Sequence, residues 1–416
     1  MLKIEGVIRK MRIVFVTTEY VSKENSDGGL ANYLFRVSSE LKKYGHDPLI
    51  LVISDKEQNY LDNGIKVIRI DTSSNSFQRF MDFITFKQLS ILTYYIRANR
   101  LIKLKLREIN KEKKISIVQY TNLGGTGLFR IKSIPSVVRM SSYFPLWEKY
   151  GEYENYNFLL KIQLNILEKI SLRRADSIFA PSNVLAKYVA KDLKREITVI
   201  ESPYVIEHIR QDLSVYNMNF KKKKYFLFYG RLTFSKGVFV IAEIIDDLLK
   251  KFPDLNFVFI GKENQHLGKE SLIDIIKKSV KENSKRVFFL GRIHHKYLFP
   301  IIKHALAVVL PSLIDNFPNT CLESMALGKV VVGTRNTSFE QLIINKFSGF
   351  LCEPNNPEDL LRTLKIVYGL SEKKRKTIGN NGLLRIKELS DGNVVMQLIK
   401  YFKKNIINQR KGARNE

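Results

Sequence analysis

Short apolar runs alternate with amphipathic stretches along almost the whole chain. Residues 11–20, MRIVFVTTEY, open with an unbroken β-branched and aromatic run, the pattern of a strand buried on both faces. A loop carrying Gly28 and Gly29 follows, and then helix-period spacing through 30–45. PLILVIS and KVIRI read as the next strands, and a long basic helix covers about 87–111. ISIVQY, SVVRM and SIFAPS continue the strands, with helices near 156–172 and 183–192, and ITVIESPY closes the series. Strands separated by helical patterns predict a mostly parallel sheet covered on both faces.

Residues 205–224 break this rhythm. They are polar and end in four lysines, so they are expected to be a linker. The alternation then restarts: YFLFYG, a helix from Lys236, NFVFIG, a helix near 270–283, RVFFLG, and a helix near 294–304. LAVVL, KVVVG and FSGFLCEP supply further strands, helices run to about 388, and a last helix covers about 391–408. The expected fold is therefore α/β, with two doubly wound domains facing each other and a ligand at the carboxyl ends of the strands. Their limits are 1–204 and 225–388, with 389–416 forming a terminal helix and basic tail that crosses back to the first domain. Residues 1–10 are expected to be a loose leader ahead of the first strand.

Composition narrows the class. The 416 residues are 44% apolar and 26% charged, as in a globular protein with two cores. The two cysteines, Cys321 and Cys352, suggest no disulfide framework and fit a reducing cytoplasm. Every apolar run falls short of the roughly 20 residues of a membrane-spanning helix. The net charge of +28 would draw the chain to an anionic membrane surface, although lysine is scattered enough to reflect compositional drift. The basic runs at 221–224 and 373–376 lack interleaved aromatics, so nucleic acid is not the expected partner.

Candidate chemistry concentrates in the second half. In PSLIDNFPNTCLE, residues 311–323, an apolar strand runs into a loop with Asp315, then Pro318 at a helix start, then Glu323 within that helix. Two carboxylates thus flank a helix N-terminus, whose unpaired N–H groups suit a phosphate or a sugar hydroxyl network. GRLTFSKG, residues 230–237, places Arg231 and Lys236 between a strand end and a helix start, where two cations balance a diphosphate. No D-x-D pair is present, His294–His295 has no matching carboxylate or Cys, and no metal site is expected. Gly261 and Gly291 each follow a strand and permit a tight turn or a close backbone approach. Gly28–Gly29 does not form G-x-G-x-x-G, so it reads either as a plain turn or as a loop approaching a ligand held by the opposite domain.

With these residues assembled, the chain resembles a GT-B glycosyltransferase of retaining family 4, most strongly over about 225–365 and more weakly over 11–204. GRLTFSKG is similar to that family's G-R-L-x-x-x-K-G segment. FFLGRIHHKYL resembles the stretch leading to the nucleobase, PSLIDNFPNTCLESMALGKVVV the E-x7-E signature, and DGGLANYLFRVSSELKKYGHD the glycine loop and its helix. The resemblance implies that Arg231 and Lys236 hold the donor diphosphate and that Glu323 accepts hydrogen bonds from the ribose. It implies that Asp315, Asn316 and Phe317 meet the donor sugar, that Asn319 and Thr320 lie at the phosphates, and that Arg292 and Ile293 frame the base. Gly28 and Gly29 would approach the donor. Asp315 stands where Glu is usual and Pro318 where Gly is common, which leaves the sugar open. No histidine matches those that often face the acceptor; Tyr120, Asn122 and Arg139, at strand ends, are the acceptor-side candidates.

The resemblance further implies a nucleoside-diphosphate sugar as co-substrate, a UDP-sugar being expected, and no other cofactor. Electrostatic stabilisation of the departing nucleotide replaces a strong base. A donor phosphate oxygen takes the acceptor proton, and Asp315 positions the sugar. The expected acceptor is a glycan hydroxyl, lipid-linked, in bacterial capsule or O-antigen assembly at the inner membrane face. A nucleotide-sugar epimerase of the same fold and a non-catalytic basic binding protein are the alternatives; the first would act on donor alone, the second would bind no donor.

Overall fold

The computed structural model describes residues 10–20, 28–73, 76–85, 87–205, 210–263, 270–390 and 392–412. The expected leader lies almost wholly outside the described residues. Two sheets form, each from apolar runs that the sequence spaces between helices. The first has eight strands: β1 Arg12–Thr17, β2 Asp47–Ser54, β3 Gln58–Asp62, β4 Ile65–Asp71, β5 Ile117–Thr121, β6 Ser136–Arg139, β7 Ser177–Ala180 and β8 Thr198–Val199. Their order is β3-β4-β2-β1-β5-β6-β7-β8, parallel throughout except for β3 against β4. β3 is an exposed edge strand without a buried face, so it leaves no apolar signal and the pattern misses it.

The second sheet has six parallel strands: β9 Lys224–Tyr229, β10 Leu255–Ile260, β11 Val287–Leu290, β12 Ala307–Val309, β13 Val331–Thr334 and β14 Phe350–Cys352. They run in the order β11-β10-β9-β12-β13-β14. The chain therefore reverses its direction of winding between β1 and β5 in one domain and between β9 and β12 in the other. Such switch points open a crevice beyond the strands' carboxyl ends. β1, β5, β9, β10 and β12 are buried almost throughout, because helices cover both faces.

The linker expectation needs correction. Residues Ser214–Asn219 form a helix, Tyr216 stacks on His304 at 4.0 Å between ring centroids, and Lys224 already belongs to β9. Residues 206–209 of that stretch lie outside the described residues. The terminal helix Asn393–Gly412 packs on the first domain: Tyr401 lies 5.4 Å from Phe179, its hydroxyl donates to Ser177 Oγ at 2.7 Å, and Gln409 Nε2 donates to the Lys132 carbonyl at 2.6 Å. The domains also meet through Arg385, whose Nη2 reaches both Glu201 oxygens at 2.6 Å.

Candidate active site

Between the two switch points lies a cleft of about 510 Å³. The second domain contributes Arg231 and Lys236 from the turn after β9, and Asp315 to Thr320 from the loop after β12. Gly261 shapes this turn. Its φ is +148°, and a Cβ there would sit 1.8 Å from the Gly230 carbonyl oxygen, just before Arg231. Gly237, at φ +68°, likewise lets the chain pass the Pro311 carbonyl.

Lys236 Nζ lies 2.5 Å from Asp315 Oδ2, so the cation and the expected sugar-side carboxylate form one pair. Arg231 is half exposed and lies 3.5 Å from Glu152 of the first domain. Ser235 Oγ also donates to Glu152. Pro318 is the N-cap of the helix Asn319–Ala326 rather than part of its first turn. The first bonds of that helix run from Cys321 and Leu322 to the Pro318 carbonyl, so the amides of Asn319 and Thr320 lead the helix where they line the cleft.

Asn316 locks the loop to the first domain. Its Nδ2 donates to the Ser141 carbonyl at 2.9 Å, and its Oδ1 accepts from Ser182 Oγ at 3.1 Å. Opposite, Gly29 faces Asn319: a Cβ at Gly29 would meet Asn319 Nδ2 at 3.9 Å. Arg36 Nη1 donates to Asn319 Oδ1 at 3.3 Å. Gly28 caps the same helix, Gly29–Lys43, directly beside Glu19.

Of the other sequence candidates, Phe317, Asn319, Thr320 and Arg139 line the cleft, whereas Glu323 lies one turn further along its helix, where Tyr229 donates to it at 3.3 Å. His295 Nε2 is 3.8 Å from Glu323, which brings the loop of Arg292 and Ile293 beside that helix but outside the cleft lining. Two acceptor-side candidates are corrected. Tyr120 is 2% exposed and packs inside the first domain's core, because alternate residues of β5 face its helical cover. Asn122 is fully buried and serves the backbone: it accepts from the Ser141 amide at 2.7 Å and donates to the Ser142 carbonyl at 3.0 Å.

Asn122 is itself held by Glu168, whose Oε1 accepts from it at 2.5 Å while Oε2 accepts from the Phe144 amide at 2.8 Å. This buried carboxylate therefore fixes the turn 141–144 that forms one wall of the cleft. Burial raises its pKa from 4.5 to about 7, although the two donors pull it down. Between those values the folded chain keeps a proton that the unfolded chain has released, so folding weakens as pH rises through that window. The stability of the native chain relative to Glu168→Gln is expected to fall by about 3 kcal/mol from pH 4.5 to pH 8, read from urea melts. A flat difference would remove the buried acid from this account.

Sequence reasoning missed Tyr33, Arg36, Glu152 and Ser235. Arg36 alone left a local signal, a cation on the buried face of an amphipathic helix. Glu152 sits in an irregular loop and joins the site only through the packing of the two domains.

Among the described residues no cluster of His, Cys, Asp or Glu is arranged for a metal, and no helix is long and apolar enough to cross a membrane. Two parallel-sheet domains with a cationic cleft between their switch points form the GT-B architecture. Residues 27–207 match the family model described as Glycosyltransferase Family 4, and residues 210–385 match Glycosyl transferases group 1. The chain belongs to GT-B glycosyltransferase family 4. It is 24% identical, over 92% of its length and 98% of the relative's, to N,N'-diacetylbacillosaminyl-diphospho-undecaprenol alpha-1,3-N-acetylgalactosaminyltransferase of Campylobacter jejuni. Its fold is similar to sucrose-phosphate synthase of Thermosynechococcus elongatus, with TM-score 0.74 and 14% identity over 95% of this chain and 99% of that one. HepE of Anabaena, solved in complex with UDP and glucose, gives TM-score 0.66 and 14% identity over 95% of this chain and 100% of that one.

Proposed function

We propose that this glycosyltransferase moves a sugar from a nucleoside-diphosphate sugar, a UDP-sugar, to a hydroxyl of a lipid-linked glycan, with retention and without a metal ion. The observation that carries the reading is the joining of Arg231, Lys236 and Asp315 with the leading amides of Asn319 and Thr320 at one switch point. Two cations and a helix N-terminus stabilise a departing diphosphate where they exclude water around it. An ammonium has three N–H donors, so Lys236 keeps two for phosphate while it holds Asp315. Asp315 then meets a sugar hydroxyl, and a donor phosphate oxygen takes the acceptor proton.

Two observations favour a lipid-linked acceptor in bacterial surface-polysaccharide assembly. One is the likeness, over nearly both full lengths, to the Campylobacter transferase whose name specifies a diphospho-undecaprenol-linked sugar. The other is a set of exposed apolar side chains on two helices that both pack against the helix Ser90–Glu112: Phe80, Phe83 and Ile84 on one, Phe158, Leu159 and Ile162 on the other. Gln163, on the helix that carries Phe158, donates to the Gln88 carbonyl at 2.6 Å and accepts from the Leu92 amide at 3.1 Å, at the start of the helix Ser90–Glu112. Tyr153 of the cleft lies 5.4 Å between centroids from Tyr156, two residues before Phe158 in the chain. With a net charge of +28, these exposed apolar side chains suit an anionic bilayer.

The test is a panel of nucleotide sugars. A UDP-sugar is expected to raise the melting temperature by mass action. Transfer should then persist in EDTA, and the product should keep the donor's anomeric configuration by NMR. Inversion, or loss of transfer in chelator, would defeat the mechanistic part. An epimerised nucleotide sugar formed from donor alone would favour the epimerase. Equal sedimentation with neutral and anionic liposomes would remove the membrane.

A further inference from the structure

We propose that Arg139 is a phosphate-binding residue for the acceptor, so that the molecule receiving the sugar carries a phosphate close to its reacting hydroxyl. The proposal rests on the glycosyltransferase reading above and narrows its acceptor. Arg139 ends β6, is 4% exposed, and lies on the first domain's wall of the cleft. Its Nη1 donates to Ser141 Oγ at 2.8 Å, its Nη2 donates to Ser202 Oγ at 3.0 Å, and its guanidinium carbon sits 3.7 Å from the Tyr33 ring centroid. Among the described residues its buried Nε has no hydrogen-bond partner.

The two cations that the second domain brings to the cleft make the contrast. Lys236 is matched by Asp315 and Arg231 by Glu152, whereas among the described residues no carboxylate forms an ion pair with Arg139. A buried cation without an anion is costly, and an anionic ligand would offset that cost. A guanidinium offers five N–H donors in a planar fork suited to phosphate; two here go to serines and Tyr33 engages the guanidinium as well.

Position separates this anion from the donor's own diphosphate. Arg231 and Lys236 belong to the second domain, and Arg139 stands on the opposite wall. Yet it is tied to the sugar side: Ser141, which accepts from Arg139, gives its carbonyl to Asn316 Nδ2 at 2.9 Å, and the Asn316 amide donates to Asp315 Oδ1 at 3.0 Å. An acceptor whose hydroxyl faces the sugar held at Asp315 would lay a neighbouring phosphate on Arg139. That phosphate is either the diphosphate of a lipid-linked glycan or an ester on the acceptor sugar.

The experiment titrates two probes, farnesyl diphosphate and glucose 6-phosphate, into full-length protein saturated with UDP, so that the donor site is filled. At least one is expected to bind native protein, and about 10- to 100-fold more weakly to Arg139→Gln, with Arg139→Lys between them and UDP affinity unchanged. Binding of farnesyl diphosphate alone assigns the lipid diphosphate, and glucose 6-phosphate alone assigns the sugar ester. Binding of both, each sensitive to Arg139, assigns a site that reads phosphate only. The proposal is overturned if UDP-loaded native protein binds neither probe, or if Arg139→Gln binds as well as native. It is also overturned if the variants lose UDP affinity in parallel, which would put Arg139 in the donor site. If Arg139→Gln does not fold, the native titration and Arg139→Lys decide the same question. Failure of native protein to bind UDP at all would instead strike the donor reading.

Discussion

Lys236→Ala is expected to lower kcat for sugar transfer by about 10²- to 10³-fold while the protein stays folded. Lys236 stands at the end of the turn after β9, its ammonium 2.5 Å from Asp315 and facing the cleft. Negative charge grows on the diphosphate as the glycosidic bond breaks, so a fixed cation there is worth more in the transition state than in the bound donor. The loss should therefore fall on kcat more than on donor KM. Folding should survive because Asp315 keeps the Asn316 amide as a donor, at 3.0 Å, when the lysine is removed. Steady-state kinetics with the accepted donor and a thermal melt check both parts. A kcat loss under about fivefold in a folded variant would take Lys236 out of catalysis, since one positioned donor is normally worth far more. Lys236→Arg keeps the charge but not its position, and should recover only part of the rate.

Gly261→Ala should destabilise the chain by about 3 kcal/mol or more, or prevent folding outright. At φ +148° the backbone occupies a region that only glycine enters freely, and the added Cβ would sit 1.8 Å from the Gly230 carbonyl oxygen. That carbonyl cannot simply retreat. The Gly230 amide donates to the Ile260 carbonyl at 2.9 Å and the Leu232 amide to the Lys262 carbonyl at 3.0 Å, so the two turns move together or not at all. Any relaxation displaces Arg231, between those two residues, and activity should fall even in whatever fraction folds. Gly291→Ala is the control: nothing lies within 4 Å of its added Cβ and its φ is ordinary, so its urea midpoint should stay near the native one. Equal stability losses in the two variants would contradict the geometry.

These two glycines show how far the sequence could be read. Gly261 and Gly291 occupy the same kind of place, just after an apolar strand, and a single sequence gives no reason to separate them. The difference lies in a carbonyl thirty-one residues away, brought near by the pairing of β9 with β10. Tyr120, Asn122 and Arg139 pose the same problem. All three sit near strand ends, yet one fills the core, one anchors a turn, and one faces the cleft. Strand ends can be located from sequence, but the face a side chain takes depends on which helices cover that part of the sheet.

By itself the sequence determined the alternation of strand and helix, the two-domain α/β class, and the cationic and acidic segments at 230–237 and 311–323. Each of these is written in residues close together in the chain, through hydrophobic period, turn chemistry and spacing. The tertiary structure alone decided what partners the charges have: Glu152 beside Arg231, Asp315 on Lys236 and, among the described residues, no carboxylate paired with Arg139 of the first domain. It also decided that Glu168 holds the turn 141–144 and that the last helix returns to the first domain. The physical reason is that ion pairing and burial depend on distance in space. The packing of the two domains sets that distance, and it bears no fixed relation to separation along the chain.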